Sequence, residues 1–448
     1  MSGENTEKKI YVRPTIRRQF MGHANKFGGL AIPEPVVSID GVAVADLVRE
    51  FGSPLFVFSE ATLRRKVREL NHAFSSRYPR FQAAWSYKTN YLDAICRVFH
   101  DEGSWAEVVS GFEYKKARAN GIPGNRILFN GPYKPLPVLR EAIESGTRIH
   151  VDHLDELSDC LTIARELGRP VSVTLRINMD TGTWPSWDRF GFNLESGQAL
   201  EAVRRIAASD GKLRLTGLHA HIGTFMMDSA PYKRAAAKLA QFWKKIVSEY
   251  AQPLEYLDLG GGFASANRLK GQYLSGSVML PSFDQYAEAI TSALYEGFEP
   301  AEPPQLFLET GRALVDDAGF LVTSVVANKT TPDGKRALVI DAGVNILFTA
   351  YWYDITAAPS TRHAGSWEEV ALFGPLCMNI DKVRESCLLP SLQRGEQIVL
   401  HPVGAYNVTQ WLQFIEMRPN VVMIDRDGKP KIIRHAESLD DIVRREEV

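Results

Sequence analysis

The chain has 448 residues, 45% of them hydrophobic and 23% charged, which suits a globular protein of two full cores rather than a disordered or fibrous one. Lysine and arginine number 52 against 53 aspartate and glutamate, a balance that argues against nucleic acid or a membrane surface as the main partner. No apolar run is long enough to span a bilayer, the first nine residues lack the apolar stretch of a secretory signal, and Cys96, Cys160, Cys377 and Cys387 form neither a CxxC pair nor a Cys/His metal pattern; the expectation is reduced thiols in a cytoplasmic protein without a metal.

Residues 1–52 read as an N-terminal extension. Its segment 11–20, with Arg13, Arg17 and Arg18, reads as a solvated arm or a dimer-packing segment, with contact to an acidic substrate or carrier as the alternative. Its segment 35–39 reads as a strand that joins a later β domain. Over 53–315, strand-like and helix-like segments alternate. A helix over 61–74 carries the stripe Leu63, Val67, Leu70 and Phe74. Eight apolar runs follow as strands, at 81–88, 105–110, 127–130, 149–152, 173–178, 215–222, 256–260 and 306–309. Helices are expected between them at 92–100, 136–145, 154–167, 199–208, 232–250 and 283–295. Eight strands alternating with helices predict a (β/α)8 barrel of the TIM type, although a doubly wound open sheet also fits the alternation. Over 316–448 helical periodicity is scarce. Strands at 320–328, 336–341, 370–373, 397–401 and 421–424, joined by turn residues, predict a mainly antiparallel β domain.

A barrel places its active site at the C-terminal ends of its strands. The first strand ends at Lys88, either a lysine reaching for solvent or an amine able to form a Schiff base. The sixth ends in His219 and His221, which share one strand face. A core histidine beside a solvent-facing one, a metal pair lacking a third ligand, and an imidazole stacked on a flat cofactor all fit. The seventh ends in Gly260, Gly261 and Gly262, where bare backbone can approach an anion, and barrels often bind phosphate after strands seven and eight. The eighth ends in Glu309, Thr310, Gly311 and Arg312: either a plain ion pair, or an acid for a ring nitrogen and a cation for an oxyanion. A lysine, a stacking imidazole, a phosphate cradle and a carboxylate are what pyridoxal 5′-phosphate requires.

With these residues in place the chain resembles the fold-type III pyridoxal-phosphate decarboxylases, most of all the diaminopimelate decarboxylases, over residues 52–420. The matching motifs are the lysine run ending Tyr87-Lys88-Thr89-Asn90, the run Val108-Val109-Ser110-Gly111-Phe112-Glu113, and His221-Ile222-Gly223-Thr224 with threonine for the usual serine. Also matching are the three glycines, the pair Glu309 and Arg312 around Gly311, Gly374-Pro375-Leu376-Cys377, and Gly404-Ala405-Tyr406. The resemblance implies an alanine racemase-like barrel followed by a β-barrel or sandwich domain, and a homodimer with shared active sites. It makes Lys88 the cofactor lysine and Cys377 the acid that returns a proton to the substrate from the partner subunit. It also implies that His221, Thr224, Gly260, Gly261, Gly262, Glu309, Gly311, Arg312 and Tyr406 hold the cofactor, with Arg312 and Tyr406 also reaching substrate.

Two positions depart from that family. It carries a glutamate after the cysteine, where this chain has Met378, and an arginine where this chain has Thr349; Tyr353 is retained. Both missing charges grip the distal end of diaminopimelate, and a buried charged tail needs partners. The expected substrate is therefore a modified, conjugated or carrier-bound amino acid, as in relatives that serve siderophore or other secondary-metabolite pathways. Genuine diaminopimelate decarboxylation is the alternative. An amino-acid racemase shares the barrel and the lysine, but the motif around Cys377 favours decarboxylation. A non-catalytic cofactor-binding protein is shorter and lacks the β domain. A decayed homologue would not keep Lys88, Glu309 and Cys377.

Overall fold

The computed structural model describes residues 32–183, 185–272 and 280–447. The basic segment 11–20 lies outside them. Among the described residues, eight parallel strands close a barrel: Phe81–Ser86, Trp105–Val108, Ile127–Phe129, Arg148–Val151, Val171–Asn178, Leu213–His219, Tyr256–Asp258 and Gln305–Leu308. The eighth pairs with the first, which shuts the ring and rules out the open sheet. These strands are buried almost throughout, as strands must be when helices cover one face and a packed interior the other. The helix Glu60–Ser75 buries Leu63, Val67, Leu70 and Phe74, and the Ser59 hydroxyl accepts from the Thr62 N–H at its start. Helices Asp93–Asp101, Leu136–Glu144, Leu154–Leu167, Gln198–Ala207, Ala230–Tyr250 and Phe283–Phe298 occupy the expected connections. The short helix Gly111–Ala119 fills the connection after the second strand.

The second sheet runs, from edge to edge, Lys382–Pro390, Trp367–Phe373, Arg336–Ile340, Gly319–Thr330, Leu55–Ser59, Val421–Ile424 and Pro430–Arg434. Gln397–His401 and Thr356–Pro359 branch from Gly319–Thr330. Most pairings are antiparallel; Arg336–Ile340 with Trp367–Phe373 and Leu55–Ser59 with Val421–Ile424 are parallel. The N-terminal strand in this sheet is Leu55–Ser59, not the expected 35–39. Within 35–39 only Ser38–Ile39 is a strand, paired with Val42–Ala43, while Val36 N–H donates to the Pro359 carbonyl. All five residues of Leu55–Ser59 are buried, so they require neighbours on both sides, whereas Pro33 and Pro35 take N–H donors out of the earlier segment.

Asp316 fastens the barrel to the β domain. It is 1% exposed; its Oδ2 accepts from the Ser265 hydroxyl and from Asn267 Nδ2 at 2.7 Å, and its Oδ1 from Ala405 N–H at 3.2 Å. Beside it Tyr406 N–H donates to the Thr89 carbonyl and Thr409 Oγ1 to the Lys88 carbonyl, both at 2.9 Å. The β domain thus grips the loop that carries Lys88. Asp316→Ala should leave three buried donors unpaired and cost about 2–4 kcal/mol of stability. Chemical denaturation of the two proteins side by side measures it, and a loss near zero would remove Asp316 as the fastening point.

Candidate active site

Apart from His219, which ends its own strand, the predicted barrel residues lie one to five residues beyond their strand ends, so those side chains come from the loops at the C-terminal mouth. Lys88 sits in a 3-10 turn, Tyr87–Thr89. Its Nζ lies 3.0 and 3.1 Å from the two oxygens of Glu107, a fully buried carboxylate that also accepts from Ser86 Oγ at 2.5 Å and Asn130 Nδ2 at 3.2 Å. Burial works against the lysine's charge, but Glu107 foremost and then Glu309 outweigh it and hold the amine above its ordinary pKa. Lys88 is therefore an ion-paired cavity lysine, not one reaching for bulk solvent.

A cavity of about 540 Å³ opens above Lys88. Lys88, His221, Thr224, Gly262, Glu309, Gly311, Arg312, Thr349, Tyr353 and Tyr406 line it, together with Trp187, Phe225, Leu269, Trp352 and Gln410. Gly260 and Gly261 stand just behind this wall, where Gly261 N–H donates to His221 Nδ1 at 3.2 Å. That bond makes Nδ1 an acceptor and leaves the proton on Nε2. Burial, aided by Lys88, keeps the ring neutral, and Trp187 stands edge-on to it at 5.8 Å. Cys377 and Met378 do not line the cavity of their own chain; Cys377 is exposed on the loop after Trp367–Phe373.

Glu309 and Arg312 do not pair with each other. Glu309 points down into the barrel, where Asn130 Nδ2 donates to its Oε1 at 2.5 Å and His219 Nε2 lies 3.3 Å from its Oε2. Arg312 turns into the cavity among Tyr406, Tyr353 and Phe225, at 4.7, 5.0 and 5.6 Å from the ring centres. His219 proves to have the further neighbours that the sequence pattern lacked. His150, Asp258 and Glu309 join it with ligand-type atoms within 4.8 Å of one another. Asn130 already takes both Glu309 Oε1 and His150 Nδ1, so this cluster is a hydrogen-bonded core. Burial, followed by the neighbouring Glu309, raises Asp258 well above the usual carboxylate range. Glu107, Asn130 and His150 were not among the candidates, although each is a polar residue inside or ending a predicted apolar strand, the one signal that could have marked them.

Whether these residues suit a phosphate-bearing aldehyde can be tested on two features. A Cβ on Gly261 would meet the Glu309 carbonyl oxygen at 2.3 Å, and one on Gly262 the Gly223 carbonyl oxygen at 2.3 Å; Gly262 also holds φ +96°. The turn is thus built from bare backbone, as a phosphate cradle must be. Arg312 Nη1 is buried without a hydrogen-bond partner, Asp316 Oδ2 lying 4.0 Å away, so a donor aimed into the cavity awaits an anion. The residues fit the group.

The second motif places Glu113 at the start of its helix, where its carboxylate accepts from Val109 N–H at 2.8 Å and its own N–H donates to Ser110 Oγ at 3.2 Å. Burial pushes its pKa up from 4.5 to about 7. A carboxyl that holds its proton more tightly folded than unfolded adds stability below about 4.5, and that contribution is lost as pH rises through about 7. Relative to the native protein, Glu113→Gln should therefore gain in Tm between about pH 5 and about pH 8. An equal Tm difference at both values would refute the shift.

Three comparisons with known proteins agree. The family model described as pyridoxal-dependent decarboxylase, pyridoxal binding domain, matches residues 61–316. The diaminopimelate decarboxylase of Methanocaldococcus jannaschii is 29% identical over 427 residues, covering 91% of this chain and 94% of that protein. That of Bacillus subtilis is 29% identical over 428 residues, with 91% and 94% covered. The crystal structure of the Methanocaldococcus jannaschii enzyme superposes with a TM-score of 0.84 at 29% identity, covering 93% of this chain and 97% of that one.

Proposed function

Because the chain belongs to the pyridoxal-dependent decarboxylases, an enzyme family of carboxy-lyases that use pyridoxal 5′-phosphate, we propose that it removes the α-carboxyl group of an amino acid other than free meso-diaminopimelate. The observation that carries the substrate reading is the cavity wall. Among its described lining residues Glu309 is the one carboxylate, and it is committed to Asn130 inside the barrel. Thr349 Oγ1, where the family has an arginine, donates to Asn407 Oδ1 at 2.9 Å. The remaining wall toward the β domain is Trp352, Tyr353, Leu269 and Phe225, with Tyr406 and Gln410 as its uncharged polar groups. A distal ammonium and carboxylate would enter this space with too few partners.

The residue roles follow from their places. Lys88 is the amine that carries the cofactor. Glu309 would meet its ring nitrogen, His221 would stack on its ring, and Gly260, Gly261, Gly262, Thr224, Gly311, Arg312 and Tyr406 would surround its phosphate. Arg312, Tyr406, Tyr353 and Thr349 face the substrate, and Met378, which like Cys377 does not line its own cavity, reaches it from the partner subunit. When bound, pyridoxal 5′-phosphate supplies an electron sink conjugated to the substrate α-carbon. Glu107 holds a proton on Lys88 and would accept it when the amine is engaged. The bond from the α-carbon to the carboxyl carbon breaks, CO2 departs, and the electron pair left on the α-carbon takes a proton from the Cys377 thiol. The thiolate is reprotonated from solvent. Since Cys377 does not reach its own cavity, it acts in the partner subunit of a homodimer. This reading includes the division into an extension at 1–52, a cofactor-binding barrel at 53–315 and a β domain at 316–448, with Leu55–Ser59 crossing into the β sheet.

The similarity over 91% of the chain to diaminopimelate decarboxylases supports a second reading, decarboxylation of meso-diaminopimelate itself. Mass spectrometry of reactions in D2O with a panel of free, acylated and carrier-linked amino acids separates the readings. Loss of CO2 with gain of one deuterium is expected from a substrate other than meso-diaminopimelate. Preferred turnover of meso-diaminopimelate would establish the second reading instead. Deuterium gain without loss of CO2 would mean a racemase. On the substrate so found, Cys377→Ala should lower kcat by about 100-fold or more, and Lys88→Ala should abolish turnover. Mixing the two inactive proteins should restore part of the activity, because a hybrid dimer holds one intact site. No recovery would refute the shared site.

A further inference from the structure

A column of buried polar side chains runs through the barrel beneath the cavity. Asn130 is at its head: Nδ2 donates to Glu309 Oε1 at 2.5 Å and reaches Glu107 Oε1 at 3.2 Å, while Oδ1 faces His150 Nδ1 at 2.8 Å. His150 Nε2 faces the Tyr256 hydroxyl at 3.5 Å, the longest link, and that hydroxyl meets Thr174 Oγ1. Asn130, His150, Tyr256 and Thr174 are each at most 2% exposed.

The chemistry of the groups fixes every direction. The Asn130 amide nitrogen donates to Glu309 and Glu107, so its oxygen faces His150. That oxygen only accepts, so His150 carries its hydrogen on Nδ1. Burial first, and then His219, hold the imidazole well below its ordinary pKa. A neutral ring has one N–H, so Nε2 accepts from Tyr256. Every hydrogen bond in the column therefore points up toward the two carboxylates. His219 and Asp258 border the column and Lys134 Nζ donates to the His150 carbonyl, but the described contacts give the Asn130 oxygen no other donor than His150.

Resting on the proposed role of Glu309, we propose that His150 is a positioning residue: through Asn130 it holds the Glu309 carboxylate in place for the cofactor ring nitrogen. Without the Nδ1–H the buried amide oxygen is unpaired, the amide swings, and Glu309 loses its fixed direction. A misplacement of this kind costs up to about 100-fold in rate.

The test compares His150→Leu with His150→Asn, whose side-chain nitrogen stands where Nδ1 stands. Two readouts are taken on the holoenzyme: cofactor dissociation after dilution, followed by absorbance without any substrate, and kcat and KM on the substrate found by the panel. His150→Leu should weaken cofactor retention by about tenfold or more and lower kcat by about 10–100-fold with KM little changed. His150→Asn should restore both. If His150→Leu does not fold, His150→Ser, too short to reach Asn130, replaces it. A leucine or serine variant with native retention and kcat overturns the proposal, and so does an asparagine variant that falls as far as they do, since packing alone would then explain the loss. A native protein that binds the cofactor but decarboxylates nothing overturns the proposed function, while the retention comparison still decides the role of His150.

Discussion

Lys88 and Glu107 meet at 3.0 Å at the head of the barrel, above the buried polar column of Asn130, His150, Tyr256 and Thr174, and the arrangement of the mouth depends on keeping those two charges. Moving a carboxylate or an ammonium out of water costs several kcal/mol, and one ion pair seldom recovers it. Glu107 recovers it from three sides, from the lysine, the Ser86 hydroxyl and the Asn130 amide. Those partners come from the ends of the two strands that flank its own, and the parallel register that sets Ser86 opposite Glu107 brings the first of them together. A one-residue slip would turn Glu107 outward and leave the lysine unpaired. The register of the barrel and the chemistry of its mouth are therefore one constraint.

The β domain adds a second hold on the same loop. Tyr406 and Thr409 bond to the carbonyls of Thr89 and Lys88, and Asn90 Nδ2 reaches the Gly404 carbonyl at 3.3 Å. Gly404 can sit there because it has no side chain: a Cβ would lie 1.9 Å from the Val315 carbonyl oxygen. The amine is thus fixed from below by the barrel's carboxylate and from above by another domain's backbone. Such support from two rigid elements is what a reacting group needs in order not to wander.

Much of this was legible in the sequence. The eight strands and the order of Lys88, His221, the three glycines and Glu309 along them place a site at one end of a barrel, because apolar runs that stop at polar residues mark where buried strands emerge. What stayed hidden depends on tertiary neighbours. Leu55–Ser59 is an apolar run like any barrel strand, and nothing local tells which sheet it joins. Lys382–Pro390 mixes Lys382, Arg384 and Glu385 with apolar residues, yet Arg384 is buried because the Ile355 and Ser386 carbonyls receive its guanidinium. Glu107 and His150 look like strand residues until the barrel closes and turns them inward. Cys377 was found by its motif alone, and a single chain leaves it exposed.

The division of labour between the two domains bears on how the substrate can differ from that of the relatives. On the proposed reading, the groups that act on the α-carbon and hold the cofactor come mostly from the barrel and its loops, where buried hydrogen bonds tie each to several others. Changing one of them breaks a network. The positions that depart, Thr349 and Met378, lie on the β domain. Thr349, though buried, bonds through its side chain to Asn407 alone, and Met378 is a flexible side chain on a surface loop. Loops of this kind accept substitution without unfolding the scaffold. Arg312 and Lys88 are the cations of the cavity wall, and on the proposed reading both act at the cofactor end. A distal carboxylate would have to compete with a phosphate for the guanidinium, whereas an uncharged or conjugated tail would lie against Trp352, Tyr353 and Leu269 without that conflict.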